Sequence, residues 1–233
     1  MISFDLSYCI FSESSLQPSA FGLKKPQIEY VLDKSKGSSV NCAKVTDFVP
    51  HTHSTHTECL GHISAQGPFI SEILPQIPPY MQAVLVTPQI TNQITRESLE
   101  SVLEGRSFER CKAVIVRTLF TPEAKDNCVD FTESGAPYFT GDAMSYLKSK
   151  GFVHLLTDLP SVDHETDKEL PAHHEFFDSS QESRTITELC CLAKYSTEEL
   201  PDGLYMLNLQ ILNMHSDASP SRPLLFTETL IIT

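Results

Sequence analysis

Long apolar runs are missing from this chain: nowhere do eighteen apolar residues follow one another, and a bilayer-spanning helix needs about twenty. A membrane span is therefore excluded. The start, Met1-Ile2-Ser3-Phe4-Asp5, lacks the basic opening and apolar stretch of a secretory signal. Cysteine pairing signals are also scarce. Seven cysteines at scattered spacings, with no Cys-x-x-Cys pair, do not make a disulfide framework, and reduced thiols in a cytoplasm are expected. Positive charge is in short supply, with 17 Lys and Arg against 30 Asp and Glu and a formal charge of −13. Such a surface repels phosphate backbones, and no basic patch interleaves with aromatics, so nucleic acid is not an expected partner. The zincin signature His-Glu-x-x-His is absent as well.

What the chain does have is a concentration of imidazole. Residues 51–62 read His-Thr-His-Ser-Thr-His-Thr-Glu-Cys-Leu-Gly-His, four histidines and a glutamate in twelve positions. Neutral imidazole and carboxylate are the usual donors to a divalent first-row ion, which needs three or four of them converging from stiff backbone. On a strand, His51 and His53 share one face while His56, Glu58 and His62 share the other parity. An irregular turn near Ser54-Thr55 would bring the two groups together. Cys59 lies inside the cluster but is read as packing rather than as a ligand, like the adjacent Cys190-Cys191. Downstream, His173, His174 and Glu175, then Glu188, offer further donors, although their spacing alone does not separate ligands from charges on a solvated helix face.

The 233 residues, 40% of them hydrophobic, suffice for one core, and no linker or repeat divides residues 1–233, so a single α/β domain with a mixed sheet is expected. Residues 2–6 and 27–32 alternate as two short strands that read as a hairpin, the second running into the polar turn 33–37. A longer strand over 39–49 leads into the histidines and would hold the ligands at its end. Residues 83–86 and 113–116 are continuously apolar and predict buried strands, with a helix over 95–103 between them. Thr140 is placed to cap a helix over 141–150 that stops at Gly151, followed by a strand over 153–157. A further strand is expected over 204–212.

Several segments, in order, resemble the cyclase family of metal-dependent hydrolases, which includes bacterial kynurenine formamidase and isatin hydrolase. That family's hallmark is His-x-Gly-Thr-His-x-Asp-x-Pro-x-His. Here His51 is followed by Ser54-Thr55-His56-Thr57-Glu58-Cys59-Leu60-Gly61-His62. Asp5-Leu6-Ser7 resembles the family's Asp-Leu-Ser, and Leu156-Thr157-Asp158-Leu159-Pro160-Ser161-Val162-Asp163 its Gly-Ile-Asp-Thr-x-Ser-Val-Asp. Pro171-Ala172-His173 is similar to its Ala-His, residues 185–189 to its Ile-Val-Glu-Asn-Leu, and Asp217-Ala218-Ser219-Pro220-Ser221-Arg222 to its Asp-Gly-x-Pro-x-Arg. The departures are local. An ungapped match puts Thr52 at the first histidine, so one inserted residue leaves His51 or His53 as the ligand, and His51 is preferred. Glu58 replaces an aspartate and Leu60 a proline. Glu175 or His174 could stand in for Glu188.

The resemblance implies a swivelling β/β/α fold and a homodimer or homotetramer. It also implies a divalent metal, zinc first and manganese as the alternative, at one or two per chain. His51, His56 and Glu58 would hold one ion, with Glu58 bridging to a second on His173 and Glu188. His62 would be the general acid/base, and the substrate a small-molecule amide, an aryl formamide or a cyclic amide. Ser161 and Asp163 would buttress the site, and Phe21, Phe69 and Tyr80 could line an aromatic pocket. Two other readings stay open: a metal-binding protein without catalysis, and a dioxygenase with a His/His/carboxylate triad. A cysteine hydrolase built on Cys59 lacks an evident oxyanion hole.

Overall fold

A computed structural model describes residues 3–10, 17–105, 108, 110–122, 124–125 and 128–227. Its strands are, in chain order, β1 (Ser3–Asp5), β2 (Gln17–Ser19), β3 (Gln27–Leu32), β4 (Cys42–Thr46), β5 (His56–Glu58), β6 (Met81–Val86), β7 (Gln93–Ile94), β8 (Cys111–Val116), β9 (Ala124–Lys125), β10 (Cys128–Asp130), β11 (Tyr138–Phe139), β12 (His154–Thr157), β13 (Thr185–Glu188), β14 (Gly203–Ile211) and β15 (Ala218–Thr227). The α-helices are α1 (Pro50–His53), α2 (Ile70–Ile73), α3 (Arg96–Leu103), α4 (Gly141–Ser149) and α5 (Pro171–Phe176).

The main sheet closes on itself. β6, β8, β12 and β13 run parallel as neighbours, and β5, β15 and β14 return antiparallel from β13 to β6. Closure depends on the length of β15. Residues Ala218 to Pro220 pair with β5, Ser221 to Thr227 pair with β14, and the far end also accepts β1. Seven strands thus form a barrel-like sheet with β1 as an outer addition.

The continuous apolar runs in β6 and β8 follow from burial on both faces. Ala83 and Leu85 turn inward against Ala113, Ile115, Leu156 and Leu207. Val84 and Val86 turn outward, where Leu99 and Leu103 of α3 and Met144 and Leu147 of α4 cover them. The strand-helix-strand unit expected at 83–116 and the helix-strand step expected at 141–157 are both present, with β6, β8 and β12 in parallel register. Thr95 caps α3 by accepting from the Ser98 N–H at 3.3 Å. No helix among the described residues is long and apolar enough to cross a membrane, and Cys9, Cys42, Cys59, Cys111, Cys190 and Cys191 form no disulfide.

Three local expectations are corrected. β1 pairs with β15 rather than with residues 27–32, which form their own two-stranded ribbon with β4. The strand expected over 39–49 covers only Cys42–Thr46, because Asp47 turns to a left-handed backbone (φ 56°) and Pro50 starts a helical turn. Thr140 is the N-cap of α4 by position, but its side chain accepts no helix N–H, since its one hydroxyl hydrogen is shared between Asp142 and the Ile94 carbonyl.

Candidate metal centre

The antiparallel pairing of β5 with β13 creates the centre. Its register sets His56 opposite Glu188, and the two-residue period of a strand puts Glu58 on the same face as His56. The neighbouring threonines, Thr57 and Thr187, turn the other way and bond each other at 2.9 Å. His51 arrives from α1. In a helical turn, residues two apart face nearly opposite sides, so α1 directs His51 to the cluster and His53 away from it. His53 packs near Phe48 and accepts the Val49 N–H at 3.0 Å. The preference for His51 over His53 is thereby explained by Pro50, which starts the turn, rather than by strand parity.

His62 ends a 3-10 turn, Leu60–His62. Gly61 is required there, because a Cβ on it would lie 2.7 Å from the Pro68 carbonyl oxygen. His173 sits on α5, whose first turn is held by Asp163. That carboxylate accepts the Ala172 N–H at 2.7 Å, the His173 N–H at 3.0 Å and the His173 ring Nδ1 at 2.7 Å. Asp163 is therefore the expected buttress, and the Ser161 hydroxyl in turn accepts the Asp163 N–H at 3.2 Å.

All six sequence candidates meet here. His56, Glu58, His173 and Glu188 are buried, while His51 and His62 are about a quarter exposed on one side. Two groups of three put ligand atoms within 4.8 Å of one another: His51, Glu58 and His62, and His56, Glu58 and Glu188. Glu58 belongs to both, as expected of a bridging carboxylate. The partition differs from the one the resemblance implied, since His56 lies with Glu188 and His62 joins His51. His173 Nε2 stands 3.0 Å from Glu58 Oε2 and 3.8 Å from Glu188 Oε1.

The protons on the rings can be assigned from their partners. His56 Nδ1 lies 3.0 Å from the Ser54 carbonyl oxygen, which can only accept, so Nδ1 carries a hydrogen. The same holds for His173 Nδ1 on Asp163 and for His62 Nδ1 at 2.8 Å from Asp217 Oδ2. Three Nε2 atoms then face inward, toward carboxylate oxygens. His56 Nε2 is buried with no aligned hydrogen bond, 3.4 Å from Glu58 Oε1 and 3.5 Å from Glu188 Oε2. Imidazole nitrogens facing carboxylate oxygens in a dry pocket need positive charge between them, supplied by a second ring proton or by a metal ion.

The electrostatics agree. Burial alone would push the His56 and His173 imidazoles down, yet the carboxylates around them lift both to about 10. Burial raises Glu188, and the charge on Glu58 raises it further. On Glu58 itself, burial is outweighed by His173, His56 and His62, which hold it well below the usual range. A divalent cation would replace the protons that the carboxylates otherwise draw onto His56 and His173, leaving imidazole and carboxylate donors whose outer atoms are already hydrogen-bonded. His51, His56, Glu58, His173 and Glu188 are the side chains that would hold it, with His62 beside them.

Other expected candidates lie outside. Glu175 pairs with Lys148 at 2.8 Å and His174 is exposed. Cys59 donates to the carbonyls of Pro68 and Asp217, and burial raises its thiol to about 11, so it is neither thiolate ligand nor nucleophile at neutral pH. Phe21 lines the cleft over the cluster, whereas Phe69 meets His215 edge to face and Tyr80 lies near Phe226. Asp217 is the addition that sequence reasoning missed as a site residue. It opens the Asp217–Arg222 segment, whose resemblance was noted without a role being assigned. The cleft, about 320 Å³, runs from the cluster past Phe21, Leu23, Val49, Ser161 and Leu170.

The sequence profile of a family described as "Putative cyclase" matches residues 4–164. A kynurenine formamidase of Bacillus cereus is 28% identical over 192 residues, which is 81% of each chain. One from Bacillus anthracis is 29% identical over 199 residues, 83% of this chain and 84% of that one. Among solved structures, a predicted metal-dependent hydrolase from Bacillus stearothermophilus superposes with a TM-score of 0.65 at 18% identity, covering 96% of this chain and 97% of the other. Isatin hydrolase A from Labrenzia aggregata does so with a TM-score of 0.67 at 15% identity, covering 96% and 93%. With the profile match spanning well over half its length, and with the imidazole and carboxylate ligands gathered in one buried cluster, this chain belongs to the cyclase family.

Proposed function

We propose that this chain, a metal-dependent hydrolase of the cyclase family, opens the carbon–nitrogen bond of a small amide, an aryl formamide or a cyclic aryl amide. The observation that carries the reading is the inward convergence of three imidazole Nε2 atoms on two buried carboxylates at the floor of a small cleft. The kynurenine formamidase relatives and the isatin hydrolase structure support the substrate class, since both names denote opening of such a bond.

A divalent cation, zinc first, supplies a lowered pKa for water and a polarised carbonyl when bound at this cluster. The chain's residues supply the rest. Glu58 and Glu188 keep the floor anionic, and Asp163 and the Ser54 carbonyl fix the tautomers of His173 and His56. His62 is the residue placed to move a proton. Its Nδ1–H is held by Asp217, so its Nε2 faces the cluster with a free lone pair, able to take a proton from water and return it to the leaving nitrogen. Phe21 and Leu23 give the cleft an apolar wall for a planar ring, and its volume, about 320 Å³, suits a single-ring amide.

The test is anaerobic turnover of an N-formylated aniline by zinc- or manganese-reconstituted protein. Release of formate and the free arylamine without oxygen supports hydrolysis. Turnover only in the presence of oxygen would give the site to a dioxygenase, and tight metal binding without turnover of any aryl formamide or cyclic amide would leave a metal-binding protein.

A further inference from the structure

The cleft over the cluster does not end at the length of one ring. It continues into a second lobe of about 240 Å³, and Phe21, Ser161, His164 and Glu165 line both spaces. The walls of this lobe are apolar, from Phe131, Ala136, Pro137 and Pro160, while Glu133 and Glu165 are exposed at its rim. The rim is held in place, because Glu165 Oε2 accepts the Glu133 N–H at 2.8 Å. Phe21 and Glu133 here, with Leu170 in the cleft, are three of the six non-glycine residues at positive φ among the described residues. Such backbones cost energy and gather where ligands are clamped.

The lining is one-sided in charge. Among the described residues no lysine or arginine lines either lobe. Lys24 is held by Asp47 at 2.7 Å, and Lys168 lies on the open surface outside, with Tyr138 and Thr166. His164 adds no positive charge in this arrangement, since its Nδ1 accepts the Thr166 N–H at 3.3 Å and the ring then carries one hydrogen, on Nε2. Carboxylates are plentiful. A metal at the floor would offset Glu58 and Glu188, and Asp163 is occupied by α5. Glu133 and Glu165 at the rim, and Asp167 beside the cleft, have no ion-pair partner among the described residues. A carboxylate entering there meets like charge without a counter-ion, whereas an ammonium is drawn in by the rim and by the −13 of the whole chain.

We propose that the substrate is an aryl amide whose ring carries a short arm ending in a cationic group. The ring lies in the cleft, the arm runs along the apolar second lobe, and the cation sits at the rim with Glu133 and Glu165. This substrate class rests on the hydrolysis proposed for the cluster and narrows it. The bond changes are those of that reaction: a water oxygen bonds to the amide carbon, the carbon–nitrogen bond breaks, and a proton of the water goes to the leaving nitrogen. The arm takes no part in these steps and contributes binding only, so its charge should act mainly through KM.

The test compares formanilides bearing a para aminoethyl, propyl or carboxymethyl arm, on metal-reconstituted wild type and on a Glu133→Gln/Glu165→Gln variant. Circular dichroism and elemental analysis check that the variant is folded and loaded. Each charged compound is read as a ratio to the propyl one in the same protein. In the wild type the aminoethyl compound should exceed the carboxymethyl one by about tenfold or more in kcat/KM, and the preference should shrink about threefold or more in the variant and as salt rises from about 0.05 M to about 0.5 M. Turnover with the carboxymethyl compound equal or preferred, or a preference undiminished in the variant, overturns the proposal and leaves the reaction standing. If none of the three is turned over, the reaction assigned to the cluster fails, and calorimetric binding of the same compounds to zinc-loaded protein decides the charge preference. Tighter binding of the aminoethyl compound, lost in the variant, upholds it, and equal binding of the two charged compounds overturns it.

Discussion

Asp163→Asn removes one negative charge and almost no volume, and its effect can be worked from the hydrogen bonds around it. One carboxylate oxygen accepts the Ala172 N–H, and the other accepts both the His173 N–H and the His173 ring Nδ1–H. An asparagine keeps an acceptor for Ala172 but turns its NH₂ toward two donors. Two charge-assisted bonds are lost at about 1.5 kcal/mol or more each, so destabilisation of about 3 kcal/mol is expected in a site that excludes water. The larger consequence is for the metal. With no acceptor on Nδ1, His173 is free to rotate or to carry its proton on Nε2, the atom that faces Glu58 at 3.0 Å. Loss of such an outer partner costs about ten- to a hundredfold in metal affinity. Urea unfolding in chelator measures the first effect, and competition for zinc with a chromogenic chelator measures the second. Unchanged zinc affinity in a folded Asp163→Asn protein would refute the claim that Asp163 prepares His173 as a ligand.

Asp217→Asn should leave metal content near that of the wild type while lowering kcat about tenfold or more with little change in KM, because His62 loses the partner that keeps its proton on Nδ1; Asp217→Glu should recover part of the rate, and equal kcat in all three proteins would remove Asp217 from the account. Stability should also respond to acid through His154. Burial, with the Arg184 charge nearby, pushes this imidazole down to about 4 from an ordinary value of 6.5. The unfolded chain therefore takes up the proton first, so the stabilisation is complete above pH 6.5 and is lost as pH falls toward 4, by on the order of 3 kcal/mol. In chelator, His154→Gln should flatten the stability curve across that window while retaining a partner for Thr185, which lies 2.8 Å from Nδ1; a curve as steep as that of the wild type would assign the acid sensitivity elsewhere.

Much of this was legible in the residues, for physical reasons that can be named. Strands buried on both faces announce themselves as unbroken apolar runs, and β6 and β8 fell where such runs lie. A capped, periodic segment such as α3 is similarly local. The ligands were legible as a set because few roles other than metal binding explain four imidazoles and a carboxylate in twelve residues. Their grouping was not. Strand parity across residues 51–58 misgroups them, because Pro50 starts a helical turn and that turn separates His51 from His53. The pairing of His56 with Glu188 depends on a register between segments 132 residues apart, which no local pattern encodes. Barrel closure is still less local, since β15 must meet both β5 and β14. The ribbon misled for the opposite reason. Residues 27–32 alternate as a half-buried strand does, but they are exposed and pair with β4, not with β1.

In the proposed reaction Glu58, shared by both ligand groups, and His56, buried between the two carboxylates, hold the divalent metal. Elemental analysis of purified protein, wild type and His56→Ala, followed by the aryl-formamide assay on the same samples, tests it most directly. About one or two zinc or manganese ions per chain, lost together with activity in a folded His56→Ala protein, is the predicted result. A wild type that binds no metal even after reconstitution, or a His56→Ala variant with full metal and full activity, would contradict it.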